Sequence, residues 1–144
     1  MRLAIGSDHA GVQLKSQLAE HLRGLGHDVV DVGPADTSSV DYPDYAHKVT
    51  DLLVAEKVER GVLICGTGQG MAMSANKVPG VRAAVVADTF SAEMAMLHND
   101  ARVLCIGERV VGPGLAMSLL DAWLGASFEG GRHTRRVGKM EGTG

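Results

Sequence analysis

Aromatic residues are scarce in this chain: phenylalanine, tyrosine and tryptophan make up 3% of its 144 residues. A core must therefore be filled by Ala, Val, Leu, Ile and Met, and no aromatics interleave with basic residues to stack single-stranded nucleic acid. Cysteine is almost missing. Cys65 and Cys105 are too few and too far apart for a disulfide framework, and no Cys-x-x-Cys occurs. Neither sign of charge dominates, and the formal net charge of -3 gives no global attraction to nucleic acid or to an anionic membrane. No run of about 18 apolar residues is present to span a bilayer. The first residues hold one Arg, a short apolar stretch and an Asp, which is no signal peptide. These absences lead to the expectation of a cytoplasmic protein with two free thiols.

What remains is ordinary globular composition, 45% hydrophobic and 22% charged, which excludes a wholly disordered chain. The length suits a single domain over residues 1–144, large enough for a core without disulfides or a structural metal. Nineteen glycines point to tight turns and close backbone approaches. There is no internal repeat, low-complexity segment or domain linker.

Short apolar runs alternate with helical patterns. Strands are expected at residues 2–6, 28–32, 61–65, 81–87 and 103–107. Leu14, Leu18, Leu22 and Leu25 form one helical stripe, stopped by Gly24 and Gly26. Further helices are expected from about Pro43, over residues 71–77, over 91–97 and over 115–124, before a polar, basic tail. Five alternations with short links predict a three-layer α/β/α, Rossmann-like fold with a five-stranded parallel sheet and a C-terminal helical tail. The strands are continuously apolar, as strands covered on both faces should be. Ligands of such folds bind at the carboxyl ends of the strands.

Candidate chemistry collects at strand ends. After the first strand come Asp8 and His9; Asp8 can cap the next helix, and His9 can bond a phosphate or hydroxyl. After the third comes Cys65-Gly66-Thr67-Gly68-Gln69-Gly70. The loop lacks the third glycine of a dinucleotide fingerprint and the Gly-Lys-Ser/Thr of a P-loop. It does offer backbone N–H groups at a helix start, a nest for an anion or developing oxyanion. That field also favours thiolate in a neighbouring cysteine. The plainer reading is a tight turn with Cys65 packed beneath it, which accounts poorly for Gly70, since glycine inside a helix costs roughly 1 kcal/mol. Cys105, inside an apolar run, reads as a buried hydrophobe.

His98-Asn99-Asp100 ends the fourth helix, where a His also complements the dipole; the sequence reading sets it on the same rim as the other strand-end motifs. Arg132 and Arg136 are four apart on one helical face and suit a guanidinium clamp for phosphate, against the alternative of a solvated basic tail. Arg109 adds a cation after the fifth strand. No cluster has metal-ligand spacing, and no Gly-x-Ser-x-Gly is present. A base, oxyanion donors and phosphate-holding cations together suit proton abstraction beside a carbonyl.

These residues fall into motifs that resemble the B-type ribose-5-phosphate isomerases, a family that includes the galactose-6-phosphate isomerase subunits. The motifs are Gly6-Ser7-Asp8-His9-Ala10-Gly11, Asp41-Tyr42-Pro43-Asp44-Tyr45-Ala46, Cys65 to Gly70, Ala75-Asn76-Lys77 and Pro79-Gly80-Val81-Arg82-Ala83-Ala84. His98-Asn99, Gly107-Glu108-Arg109-Val110-Val111-Gly112 and Gly130-Gly131-Arg132-His133 complete them. The resemblance covers nearly the whole chain. It implies interconversion of an aldose and a ketose phosphate, typically D-ribose 5-phosphate and D-ribulose 5-phosphate, with no cofactor. It implies Cys65 as the base, with Thr67 and the backbone of Gly66, Gly68, Gln69 and Gly70 steadying an enediolate. His98 would open the furanose ring, with Asp8 near the ring or hydroxyl oxygens and Asn99 on a sugar oxygen. His9, Arg132 and Arg136 would bind phosphate, Arg109 would contribute from nearby, and Tyr42 would line the pocket. The family forms homodimers, sometimes paired into tetramers, with the site at the dimer interface.

Some members carry a glutamate base instead; this chain has Cys65 and no acid from Gly66 to Lys77, and so resembles the cysteine type. Arg102 stands where the family pattern is Asn-Ala-Asn. Other readings are a hexose 6-phosphate or tetrose 4-phosphate isomerase, with residues 34–41 and the tail gauging sugar length, or a non-catalytic sugar-phosphate binding module.

Overall fold

The computed structural model describes residues 1–142. The strands are β1 (Arg2–Ser7), β2 (Asp28–Asp31), β3 (Arg60–Cys65), β4 (Ala83–Val85) and β5 (Val103–Gly107). The helices are α1 (Val12–Gly24), α2 (Tyr42–Val54), α3 (Gln69–Asn76), α4 (Thr89–Asn99), α5 (Pro113–Leu124) and α6 (Arg132–Met140), with a 3-10 turn at His9–Gly11. All strand pairs are parallel, in the order β2-β1-β3-β5-β4. This is the predicted three-layer fold with its helical tail. Among the described residues no helix is long and apolar enough to cross a membrane.

The strand pleat divides the apolar residues into two cores. Leu3, Ile5, Val62, Ile64, Leu104 and Ile106 face one layer, where they meet Leu14, Leu18 and Leu22 of α1, Ala92 and Met96 of α4, and Leu119, Leu120 and Trp123 of α5. Ala4, Leu63, Cys65, Val103 and Cys105 face the other, against Ala46 and Val49 of α2 and Met71, Ala72 and Ala75 of α3. With so few aromatics, one large ring anchors the first core: Trp123 is fully buried and its indole N–H donates to the Ala101 carbonyl at 2.8 Å. Arg60 holds the end of α5, donating to the Trp123 and Ala126 carbonyls at 2.7 and 2.8 Å.

The leucine stripe of α1 ends as predicted. Gly26 adopts φ of 92°, its N–H reaches the Arg23 carbonyl, and the His27 N–H reaches that of Leu22, a left-handed cap that glycine permits. β4 is shorter than its apolar run suggests. It is an edge strand paired only with β5, and the Pro79-Gly80 turn and the Asp88 cap of α4 bracket it. That cap, Asp88 Oδ1 accepting from the Ser91 N–H at 2.7 Å, starts α4 at Thr89 rather than Ser91.

β1 and β3 lie side by side, yet α1 and α3, which follow them, cover opposite faces. This is the switch point at which open α/β sheets bind ligands. Nearby, the buried Lys15 ammonium donates to both Asp31 oxygens at 2.8 and 2.7 Å, and Asp31 Oδ1 also accepts from the Gly33 N–H. Asp31→Ala strands a lysine that is only 3% exposed. The expected loss is about 3 kcal/mol in urea unfolding, at the low end for broken buried pairs because Asp31 is partly solvated; an unchanged midpoint would contradict it.

Candidate active site

The carboxyl edge of the sheet gathers the first half of the predicted site. The Asp8 N–H bonds the Ile64 carbonyl at 3.1 Å, setting the ends of β1 and β3 together. Asp8 is buried and Oδ1 accepts from the Ala10 N–H at 2.9 Å, so it does cap the turn that follows. His9 Nδ1 accepts the Val40 N–H at 3.2 Å. With Nδ1 an acceptor, the neutral ring carries its proton on Nε2, ready to donate outward.

The Cys65 side chain faces the α2/α3 layer, and its Sγ accepts the Gly68 N–H at 3.1 Å. Gly68 has φ of 81°, a left-handed conformation that turns the chain into α3. Thr67 Oγ1 accepts the Gln69 N–H at 3.3 Å. Two of the predicted loop donors, Gly68 and Gln69, are therefore bonded within the loop. The first intrahelical bond of α3 is Ala72 N–H to the Gly68 carbonyl. The Gly70 and Met71 N–H groups are thus left facing the helix entrance, where a helix start binds anions. Met71 was not among the sequence candidates.

The loop after β5 closes over this one. The Glu108 N–H bonds the Cys65 carbonyl at 2.9 Å and the Arg109 N–H bonds that of Gly66 at 3.0 Å. A Cβ on Gly66 would meet Arg109 Nη1 at 3.5 Å, and one on Gly70 would meet Tyr42 Cε1 at 2.5 Å, so Arg109 and Tyr42 both lie directly on the glycine loop. Gly107 is packed against the Thr67 backbone, where a Cβ would fall 2.7 Å from the Thr67 carbonyl carbon. Gly107→Ala is expected to cost about 1–3 kcal/mol in unfolding and to lower kcat, because Thr67 must move; unchanged kinetics would contradict this account of the loop.

The second half of the site lies elsewhere. A helix returning from the carboxyl end of a strand carries the chain back to the amino end. α4 does this: the Asn99 carbonyl accepts from Arg82 Nε at 2.9 Å, and Arg82 immediately precedes β4. His98 and Asn99 therefore occupy the opposite edge from Cys65, separated by the length of β5, about 13 Å at 3.3 Å per residue. The expectation of one shared rim is corrected for a single chain. α6 follows α4 to this edge: Glu141 Oε1 pairs with Arg82 Nη1 at 2.9 Å. Arg132 and Arg136 are exposed there. A cavity of about 460 Å³ at this edge includes Asn99, Arg82 and Met140 but not Cys65 or Thr67.

His98 also has partners that sequence reasoning did not connect. Its ring stacks on His133, with centroids 4.3 Å apart and planes 12° from parallel. Glu129 lies 4.0 Å from His98 Nε2 and 3.9 Å from His133 Nε2. These three side chains form a metal-type donor group, ligand atoms within 4.8 Å of one another. The near-parallel stack sets the two imidazoles side by side at the end of α4. The only sequence signal was the tail motif containing Arg132 and His133. Arg102, the departure from the family pattern, pairs with Asp100 at 3.2 Å, beside the Arg82–Asp100 pair at 3.0 Å.

Comparisons with known proteins give the family and the fold. The ribose/galactose isomerase family model matches residues 3–140. Ribose-5-phosphate isomerase B of Escherichia coli is 46% identical over 136 residues, 94% of this chain and 91% of that one. The structure of ribose-5-phosphate isomerase B from Clostridium thermocellum superposes with a TM-score of 0.97 at 48% identity, covering 99% of this chain and 96% of that one. The Mycoplasma genitalium ribose-5-phosphate isomerase B, solved with bound ribulose-5-phosphate, gives a TM-score of 0.92 at 43% identity, covering 97% of this chain and 93% of that one. With the match running from the first strand to the end of the last helix, the chain belongs to the ribose/galactose isomerase family.

Proposed function

We propose that this chain, acting as one isomerase domain, interconverts D-ribose 5-phosphate and D-ribulose 5-phosphate through an enediolate. The observation that carries the reading is the Cys65 thiol, held by the Gly68 N–H beside the open Gly70 and Met71 N–H groups at the start of α3. A base and an oxyanion nest on one loop are what moving a proton between adjacent carbons requires. Similarity to relatives named for this reaction, one of them solved with ribulose-5-phosphate, supports the choice of sugar.

The two edges of the sheet make the site a property of two chains. Cys65, Asp8, His9, Tyr42 and Arg109 of one protomer face His98, Asn99, Arg132 and Arg136 of a second copy, in a homodimer. His98 of the second copy protonates the ring oxygen as the C1–O bond breaks, and Asp8 takes the C1 hydroxyl proton as the aldehyde forms. The Cys65 thiolate then removes the C2 proton. The electron pair of that bond becomes the C1–C2 double bond, and the charge on the C1 oxygen meets the helix-start N–H groups, with Thr67 and Asn99 on the neighbouring oxygen. The proton of the C2 hydroxyl passes to the C1 oxygen, and return of the carbon-bound proton from Cys65 to C1 leaves the ketone at C2 and an alcohol at C1. His9, Arg132 and Arg136 hold the phosphate, with Arg109 nearby, and no cofactor takes part. Two buried thiols with no disulfide suit a cytoplasmic setting.

The test is kcat/KM for ribose 5-phosphate beside allose 6-phosphate, galactose 6-phosphate and erythrulose 4-phosphate. Ribose 5-phosphate is expected to be preferred by tenfold or more. Preference for another sugar moves the error to the segment 34–41, which is tied to His9 through Val40, and to α6. No turnover on any of them leaves a sugar-phosphate binding module.

A further inference from the structure

Of the six histidines, His133 alone is buried among the described residues, at 5% exposed, and the reaction above does not use it. Its Nε2 has no hydrogen-bond partner. It lies flat against His98, and the Glu129 carboxylate stands between the two Nε2 atoms, one oxygen 4.0 Å from His98 and the other 3.9 Å from His133. The Glu129 N–H donates to the Leu97 carbonyl at 2.9 Å, so the carboxylate is rooted beside the last turn of α4. Arg132 Nη1 lies 3.9 Å from the carboxylate oxygen that faces His133.

We propose that Glu129 and His133 are positioning residues for His98: the carboxylate between the two Nε2 atoms and the buried ring behind hold a single proton on the pair and present it at His98. The inference rests on the isomerase reading. At these separations the carboxylate bonds neither ring at rest, and a closure of about 1 Å brings it to whichever ring is charged. The groups around His133 decide which ring that is. Burial first, then Arg132 and His98, and also Arg136, hold His133 below the ordinary histidine range, and only Glu129 opposes them. These groups disfavour a proton on His133, and a proton placed on His98 instead meets the π face of the stacked ring, a favourable contact. A second proton would set two like charges in stacked rings. His98, with 35% of its side chain exposed, is the member that a substrate can reach. Its proton passes to the sugar ring oxygen, and Glu129 orients the ring while it is charged.

The experiment compares Glu129→Gln, His133→Ala, His133→Phe and His98→Asn in the full chain. It reads kcat/KM for ribose 5-phosphate, histidine Cε1–H titration by NMR, and the Cys65 alkylation rate. Glu129→Gln is isosteric. It is expected to lower kcat/KM more than tenfold and to move the His98 midpoint down by half a pH unit or more, with Cys65 alkylation within twofold of wild type. His133→Ala is expected to lose activity similarly, and His133→Phe, which restores a stacked ring, to recover most of it. An unmoved midpoint with kcat/KM within twofold in Glu129→Gln overturns the proposal, and the midpoint is read on folded protein whatever the activity. If His98→Asn keeps full turnover, the isomerase role of His98 fails and takes this inference with it. If His98→Asn is inactive while Glu129→Gln is normal, only the positioning fails.

Discussion

Cys65→Ala is expected to lower kcat by about 10²- to 10⁴-fold while KM changes by less than about threefold, the range for losing a positioned general base. The Cys65 side chain is 5% exposed, packed under Gly68, and lined up with the helix-start N–H groups that would receive the charge. Removing one sulfur from this position costs about 1 kcal/mol of packing, so the variant folds and the kinetic loss is chemical. The second thiol is an internal control. Cys105 is fully buried, and burial, with a smaller contribution from Cys65, pushes its thiol well above the usual range. A thiol-alkylating reagent is therefore expected to modify Cys65, to inactivate the protein in step, and to be slowed by substrate. Mass spectrometry of the modified chain identifies the site. Alkylation of Cys65 with activity intact would remove it as the base, as would wild-type turnover in Cys65→Ala.

The second large effect concerns two inactive proteins that repair each other. When Cys65→Ala and His98→Asn are unfolded together in urea and refolded as a mixture, about a quarter of wild-type activity is expected to return, from the statistics of a two-fold dimer. Random pairing makes half the dimers mixed. In each mixed dimer, one site joins Cys65 of the His98→Asn chain to His98 of the Cys65→Ala chain and is intact, and the other lacks both. The expectation follows from the topology of one protomer. Cys65 ends β3 at the carboxyl edge, and His98 ends α4 at the amino edge, beside Arg82. Size-exclusion chromatography of each variant alone shows whether the dimer survives the substitution. No recovery from a mixture in which mixed dimers form would mean that the site is built within one chain.

The sheet, its order of strand and helix, and the carboxyl-edge residues were legible because they depend on local pattern. The leucine stripe of α1, the glycine turn after Cys65 and the apolar strands each have a period or a stop signal within a few residues. The apolar run of β4 outlasts the strand because Val81 and Val86 are buried for packing, and beyond Val85 only the Val86 N–H still reaches β5, at the Cys105 carbonyl. The placement of His98 shows a different limit. Residue chemistry alone groups it with the other motifs, whereas a helix that follows a parallel strand must end at the other edge of the sheet. That rule was available from the alternation itself. The His98–His133 stack was not available, since it depends on how the segment before α6 folds back onto α4. Arg102 acquires a physical account only from its pairing with Asp100.

The most direct measurement is a proton NMR time course of D-ribose 5-phosphate with the purified protein in D2O. The account predicts D-ribulose 5-phosphate as product, with deuterium from solvent entering at C1, because the proton passes through the Cys65 thiol. Absence of ketose would contradict the isomerase assignment. Ketose formed by Cys65→Ala at the wild-type rate, with the same deuterium content at C1, would remove the role assigned to Cys65.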